Sequence, residues 1–402
     1  MASLSYIDMK PEITPVEPDL GNASEGIDIS NFLLNYVQTS PQTEQTPSQE
    51  LPMKKITFFV LTVFLLMPFS LVFLSCSKEP ENSSPTPAPG QAELTIYAYD
   101  SFVSEWGPGP FIIESFEKET GIKVNMISSG DSGQVLQKVI LEKSNPEADI
   151  IIGIDNNLLY RALNEEVLIA YKSPSLESVP TDLHFDPTYH VTPYDYGYFA
   201  FIYDTEVLTN KPESLSDLLS PDFYKKIIIM DPRTSSPGLG LLHWTVSVFQ
   251  DQYLDFWEQL KPNLLTVTDG WDTGYGLFTA GEAPIVLSYT TSPSYHVEYE
   301  ETERYQALMF DEGHYLQIEG AGIVQGTKNL ASAKLFIDFL LSEEVQKGLP
   351  LTNWMYPVVT DITLPKSYAF APKPAIQLSL PADDTALHLD KRLEEWTELM
   401  SK

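Results

Sequence analysis

Apolar positions follow two different spacings from about residue 93 onward. Short continuous apolar runs, typical of buried strands, alternate with stretches in which apolar residues recur every three to four positions, as in helices. Strands are predicted at 94–97, 122–127, 148–152, 227–230, 264–267 and 284–287. Helices are predicted at 110–120 and 134–143, after Pro237, and at 332–341 and 384–400. This alternation predicts an α/β fold of open, mostly parallel sheets with helices on both faces.

The length of the chain, 402 residues, is sufficient for more than one such sheet. We therefore predict two lobes, each a doubly wound sheet. Open sheets of this kind bind ligands at the carboxyl ends of their strands. A ligand cleft between the two lobes is the expected functional site.

The segment 53–76 has the pattern of an export signal. Lys54 and Lys55 precede an uncharged apolar run that ends at Cys76. A short basic start, an apolar run and a terminal cysteine are typical of a lipoprotein signal peptide, with lipid attached at Cys76. A retained membrane helix is the alternative, although Pro68 weakens it. The segment predicts an extracytoplasmic protein.

Two further segments outside the predicted lobes have compositions that disfavour folding. Residues 77–92 are rich in proline and serine and predict an extended linker. Residues 1–52 are acidic, contain prolines and lack periodicity. They are interpreted as disordered, or as a mis-annotated prefix with the true start at Met53.

The formal net charge of the chain is −32. Such an acidic surface repels the phosphates of nucleic acids and attracts cations. Zinc, P-loop, GxSxG and dinucleotide motifs are absent from the sequence, and the six histidines do not have metal-ligand spacing. The single cysteine excludes a disulfide framework. No catalytic residue and no metal or cofactor site is therefore predicted.

Aromatic residues recur after the predicted strands, where an open sheet places its cleft. They include Tyr99, Trp106, Trp271, Tyr289, Tyr295 and Trp354. Single tyrosines and tryptophans are mostly packing residues, but this recurrence favours an aromatic cleft. In an acidic protein such a cleft suits a planar cation, held by cation–π attraction.

A polar loop leads from the strand 227–230 into the helix after Pro237. Its residues Arg233, Thr234, Ser235 and Ser236 combine hydroxyls and a guanidinium at a helix start. Such a combination binds phosphate or carboxylate. A helix cap with a structural arginine explains the same residues equally well.

Seven collinear blocks of the chain carry a family resemblance: 97–110, 153–159, 194–201, 231–242, 288–296, 312–317 and 353–358. Together they resemble the thiamine-binding periplasmic proteins of thiamine ABC transporters. The resemblance implies a two-lobed periplasmic binding protein fold that closes on thiamine or its phosphates in a hinge cleft. It implies a monomer that delivers this ligand to an ABC permease and performs no chemistry. The lobes would comprise 93–195 with 290–347, and 196–289 with 348–402.

The resemblance also assigns roles to individual residues. Tyr99 and Tyr295 would flank the thiazolium ring, and Trp271, Tyr289 and Trp354 would enclose the rest of the ligand. Asp131 would accept a hydrogen bond from the aminopyrimidine, and residues 233–236 would bind a phosphate tail. The alternative is a protein of the same fold that binds ferric iron, through Tyr289 and the tyrosines of 194–198, or a polyamine.

Overall fold

The computed structural model describes residues 93–402. Its strands are β1 (Leu94–Ala98), β2 (Val124–Ser128), β3 (Ile150–Asp155), β4 (Leu168–Ile169), β5 (Val191–Asp204), β6 (Ile227–Met230), β7 (Leu264–Thr268), β8 (Ile285–Tyr289), β9 (Tyr305–Ala307), β10 (His314–Val324), β11 (Tyr356–Pro357) and β12 (Gln377–Leu378). Its α-helices are α1 (Asp100–Val103), α2 (Gly109–Thr120), α3 (Ser132–Leu141), α4 (Leu159–Asn164), α5 (Ser236–Phe249), α6 (Tyr253–Leu260), α7 (Trp271–Thr279), α8 (Ser292–Tyr299), α9 (Leu330–Leu340), α10 (Glu343–Thr352) and α11 (Ala382–Ser401). Short 3₁₀ turns connect several of them.

The main strands form one path in the order β2-β1-β3-β10-β5-β8-β6-β7. At one end β2, β1 and β3 are parallel, and at the other β6 is parallel to both β7 and β8. In the centre β10 is antiparallel to β3 and β5, and β5 is antiparallel to β8. The predicted two-lobed α/β fold is confirmed, with antiparallel strands joining two parallel sheets.

Strand β5 belongs to both sheets. Its first part, up to Tyr198, pairs with β10, and its second part, from Phe199, pairs with β8 and β9. The predicted lobe boundaries stay predictions, but the strand pairing disagrees with one of them. The boundary at 290 assigns both α8 and β9 to the first lobe, whereas the backbone hydrogen bonds of β9 join it to the second part of β5 and α8 packs against β9.

Local sequence accounts for the helix ends near the cleft. Helix α2 has Pro110 in its first turn, where a missing N–H is tolerated, and Gly121 closes it with φ 73°. Helix α3 begins with a capping box, in which the Asp131 carboxylate accepts from the backbone and Gln134 Oε1 accepts from the Asp131 N–H. The capping box starts α3 at Ser132, two residues before the predicted start.

Helix α5 lies in the core of the second lobe, and all of its residues from Ser236 to Val246 are buried. A Cβ atom at Gly240 would lie 2.0 Å from the Phe199 ring. The close approach of α5 to β5 therefore requires glycine at this position. This contact fixes the N-terminal end of α5 against the strand that joins the lobes.

The structure leaves the N-terminal predictions untested. The prefix 1–52, the signal segment 53–76 with Cys76, and the linker 77–92 all lie outside the described residues. Among residues 93–402, none of the helices combines the length and the apolar character needed to span a bilayer.

We expect Gly240→Ala to destabilise the protein by about 1–3 kcal/mol, because the added methyl group would displace the Phe199 ring from a packed core. Urea denaturation measures this free energy of unfolding. Gly276→Ala is the matched control, since no atom lies within 4 Å of its added Cβ in α7. It should stabilise the helix by about 0.5–1 kcal/mol. Equal effects of the two substitutions would contradict the packing argument.

Candidate functional site

A cavity of about 370 Å³ lies where strand ends of the two lobes meet. The first lobe contributes Tyr99, Trp106, Asp131 and Ser132, and the second contributes Ser236, Trp271, Tyr275, Tyr289 and Tyr295. Glu319 of β10 and the loop Asn353–Met355 also line it. All seven residues predicted to bind the ligand line this cavity, although the roles assigned to them stay predictions.

Chain direction explains why these residues meet. Tyr99 directly follows β1, Trp271 is the first residue of the helix after β7, and Tyr289 ends β8. Asp131 lies between β2 and α3. The carboxyl ends of parallel strands converge on one edge of a sheet, and both sheets present this edge to the cavity.

Tyr99 is held in place from two sides. Its ring packs on Gly153, which has φ 102° and where an added Cβ would lie 2.6 Å from the ring. Its hydroxyl donates to Glu319 Oε2 over 2.9 Å. Burial, followed by the negative charge of Glu319, raises the pKa of Tyr99 well above its ordinary value. Tyr99 therefore remains neutral.

Aromatic rings from both lobes form the walls. The Trp106 and Trp271 centroids are 6.4 Å apart, and Trp271 stacks on Tyr275 at 4.8 Å. The Trp271 indole Nε1 donates to Ser288 Oγ over 2.8 Å, which fixes the plane of the ring. Because Trp106 is half exposed, it lies where a ligand would enter.

A second aromatic wall joins Tyr295 to Trp354, whose ring centroids are 5.3 Å apart in an edge-to-face arrangement. Trp354 has φ 57°, a left-handed conformation that is uncommon for a bulky residue. It directly follows α10 and Asn353, and its N–H donates to the Leu349 carbonyl within that helix. Backbone strain of this kind concentrates at functional sites. Here the left-handed turn is part of the loop that places the Trp354 ring in the wall.

The cavity lining is strongly acidic. It includes six carboxyl side chains and, among the described residues, no lysine, arginine or histidine; the six are Asp100, Asp131, Asp269, Asp272, Glu300 and Glu319. Burial raises the pKa of Asp131 and of Asp272. Aromatic faces and carboxylates together favour a planar cation over an anion.

Asp131 directly precedes α3, as predicted, and its carboxylate accepts hydrogen bonds from two backbone N–H groups. One carboxylate oxygen accepts from the Ser132 N–H over 2.6 Å, and the other accepts from the Trp271 N–H over 3.0 Å. The second hydrogen bond connects α3 of the first lobe with α7 of the second. Asp131 thus joins the two lobes beside the cavity, and a carboxylate oxygen has further lone pairs for a ligand amine.

The predicted phosphate residues are not brought together in the cavity. Ser236 lines it, and Ser235 is buried beside it. Arg233 forms an ion pair with Asp231 at 2.5 Å and lies over the Trp396 ring of α11. Arg233 and Thr234 line a separate surface groove with Lys138 and Arg161. The neighbouring acid therefore directs the guanidinium away from the cavity.

Sequence reasoning missed several residues of the site. Glu319, Asn353, Tyr275 and Ser292 all line the cavity. Glu319 had a usable signal, because it is the single carboxylate in the otherwise uncharged strand that follows His314. Asn353 had no such signal, since an asparagine after a helix is ordinary.

The tyrosines of the iron alternative point to different places. Tyr194 donates to Glu319 Oε2 over 3.1 Å, whereas Tyr196 stacks on Tyr356 at 5.3 Å. Tyr198 donates to Gln377, and Tyr289 packs against Phe199 at the cavity. Among the described residues, these four side chains have separate partners, and no hydrogen bond joins any two of their hydroxyl groups.

Comparison with known proteins agrees with this geometry. Residues 145–385 match the family model of the bacterial extracellular solute-binding proteins. The thiamine-binding periplasmic protein of Brucella abortus is 45% identical over 317 residues, which cover 78% of this chain and 94% of that protein. The chain belongs to the thiamine-binding periplasmic protein family. The corresponding Escherichia coli protein is 40% identical over 309 residues, 77% of this chain and 94% of that one.

A solved structure of a family member has the same fold. The structure, described as a periplasmic thiamin binding protein, superposes with a TM-score of 0.74 at 38% identity, covering 79% of this chain and 99% of that one. Members of the thiamine-binding periplasmic protein family are thus similar to this chain over almost their whole length.

Proposed function

We propose that this protein captures thiamine outside the cytoplasm and delivers it to an ABC permease. The observation that carries the proposal is the cavity itself, in which aromatic rings of both lobes surround a space lined by carboxylates. Thiamine has a permanently charged thiazolium ring joined to a planar pyrimidine, so both rings can stack and the charge is compensated. The family relationship supports the same ligand.

The proposed orientation places the thiazolium ring between Tyr99 and Tyr295. Trp271, Tyr289 and Trp354 enclose the remainder, and Asp131 accepts a hydrogen bond from the pyrimidine amino group. Stacking from both lobes favours the closed over the open state, because only the closed state offers both faces at once. The ligand is bound and released unchanged; a chromatographic assay for cleaved thiamine tests this point.

We expect Tyr99→Ala and Tyr295→Ala each to weaken thiamine binding by about 0.5–2 kcal/mol, because each removes one aromatic face from the cation. Isothermal titration of the full-length protein measures the affinity. Phenylalanine at either position retains the face and should retain most of the affinity. Tyr224→Ala is the control, since this tyrosine is exposed and lies outside the cavity. Unchanged affinity in the double alanine variant would rule out this orientation.

Thiamine monophosphate and diphosphate are proposed as further ligands, with the phosphate tail near Ser236 at the start of α5. Arg233 would bind the tail after leaving Asp231. If so, Arg233→Ala should weaken binding of the two esters several-fold and leave thiamine binding unchanged, because only the esters carry the anion that a guanidinium binds. Titration of all three ligands decides this. If the variant binds each of the three ligands as tightly as the wild-type protein does, Arg233 has only a structural role, as the partner of Asp231.

We also propose that the protein acts as a lipid-anchored monomer, in which Cys76 is diacylated and becomes the new N-terminus when the chain is cleaved directly before it. Cys76→Ser should release the protein from the membrane fraction, since a lipid chain gives membrane affinity through its buried methylenes. Metabolic labelling with palmitate followed by fractionation measures both. Labelled, membrane-bound Cys76→Ser protein would contradict the anchor.

Ferric iron and polyamines remain the competing ligands of the same fold. A protein that gives no heat with thiamine but forms a coloured ferric complex, or binds spermidine, would replace the proposal. The separate partners of the four tyrosines described above do not support the iron alternative.

A further inference from the structure

Two buried carboxyl groups lie next to each other on the strands that join the lobes. Asp195 of β5 and Glu319 of β10 are direct partners in the antiparallel pairing of these strands. Asp195 is 0% exposed and Glu319 is 4% exposed. Glu319 lines the cavity, and Asp195 lies behind it. The pair therefore places a carboxyl group of the strands that join the lobes in the lining of the cavity.

Hydrogen bonds to this pair come from neutral groups. Glu319 Oε2 accepts from the hydroxyls of Tyr99 and Tyr194 over 2.9 and 3.1 Å. Asp195 Oδ2 accepts from the Asn353 side-chain amide over 2.6 Å. Asp195 Oδ1 is buried without a hydrogen-bond partner among the described residues when both groups are taken as ionised. A proton shared between the two carboxyls would satisfy it.

The surroundings favour such a shared proton. Burial, and then the charge of Glu319, raises the pKa of Asp195. Burial is also the main cause that raises the pKa of Glu319. The other titratable groups that influence the pair are Asp155, Tyr99, Tyr194, Tyr289 and Tyr368, none of which is cationic. Two adjacent carboxylates without a positive partner do not both remain ionised in a buried site.

We propose that the Asp195–Glu319 pair is a specificity element that selects a positively charged ring over a neutral ring of the same shape, and that it releases its shared proton when the cation binds. The inference rests on the proposed thiamine function and extends it. A cationic ring in the cavity supplies the positive charge that the pair lacks. Its attraction is strongest when both carboxyls are ionised, so cation binding and proton release are coupled.

The sign of the pH dependence follows from this coupling. Below the pair's raised pKa the shared proton is present, and the cation must displace it. As the pH rises through that pKa the proton leaves the free protein, and affinity for the cation increases. A neutral analogue has no charge to interact with the pair, so its affinity should change little over the same range.

The test titrates the full-length protein with thiamine and with 3-deazathiamine, a neutral analogue in which a ring carbon replaces the charged nitrogen. Buffers of different ionisation enthalpy are used. Protons released on binding are taken up by the buffer, so the change of the measured heat between buffers gives the number of protons released. We expect proton release with thiamine and none with the analogue. In Glu319→Gln and Asp195→Asn the thiamine-to-analogue preference should fall by about tenfold and proton release should disappear.

Two further variants distinguish this pair from other acids. Glu298→Gln removes the same charge from an exposed position on α8 outside the cavity and should leave both readouts unchanged. Asp272→Asn removes a cavity carboxyl whose pKa is also raised. Proton release that disappears in Asp272→Asn and persists in Glu319→Gln would assign the proton to Asp272 and overturn the inference.

The wild-type measurement does not depend on the folding of any variant. If the wild-type protein binds thiamine tightly and the binding heat does not depend on the buffer, the inference is overturned and the proposed function stands. The same holds if both pair variants keep the wild-type preference for thiamine over the analogue. Absence of thiamine binding to the wild-type protein overturns both.

Discussion

The antiparallel pairing of β5 with β10 is the constraint on which the rest of the structure depends. The two strands pair from Val191–Gly322 to Tyr198–Leu316, and β10 also pairs with β3. Beyond Tyr198, β5 leaves this partner and continues into the second sheet. Each buried backbone N–H and C=O must find a partner, so this exchange of partners fixes where one sheet ends and the other begins.

The location of the cavity follows from this exchange. Each sheet presents the carboxyl ends of its parallel strands to the same region, and the residues after β1, β7 and β8 meet there. Hydrogen bonds then orient individual side chains, such as the Trp271 indole on Ser288 and the Tyr99 hydroxyl on Glu319. The aromatic walls are therefore positioned by strand ends and oriented by buried polar contacts, a combination that holds planar surfaces at defined angles.

Electrostatics gives this arrangement its chemical preference. The chain has a formal net charge of −32, and the lining of the cavity, among the described residues, likewise has acidic side chains and no basic ones. Surface charge at a distance is screened by salt, whereas buried carboxyls are screened much less. The overall charge thus attracts cations to the protein, and the pair of Asp195 and Glu319 acts on the bound ligand. The positive charge of Arg233 is kept out of the cavity, because its ion pair with Asp231 directs the guanidinium away from it.

The sequence by itself determined the α/β class, the positions of the short buried strands, and the aromatic residues that follow them. These depend on local periodicity and on chain direction, both of which can be observed in one sequence. Local periodicity did not reveal the length of β5 or its change of partner, because pairing is decided by residues distant along the chain. The lobe boundary predicted at 195/196, which lies within β5, came from the family resemblance. Tertiary structure alone decided that Arg233 lies outside the cavity and that Asp195 and Glu319 are adjacent. The reason is that 124 positions of sequence separate two carboxyls that a single backbone pairing brings together.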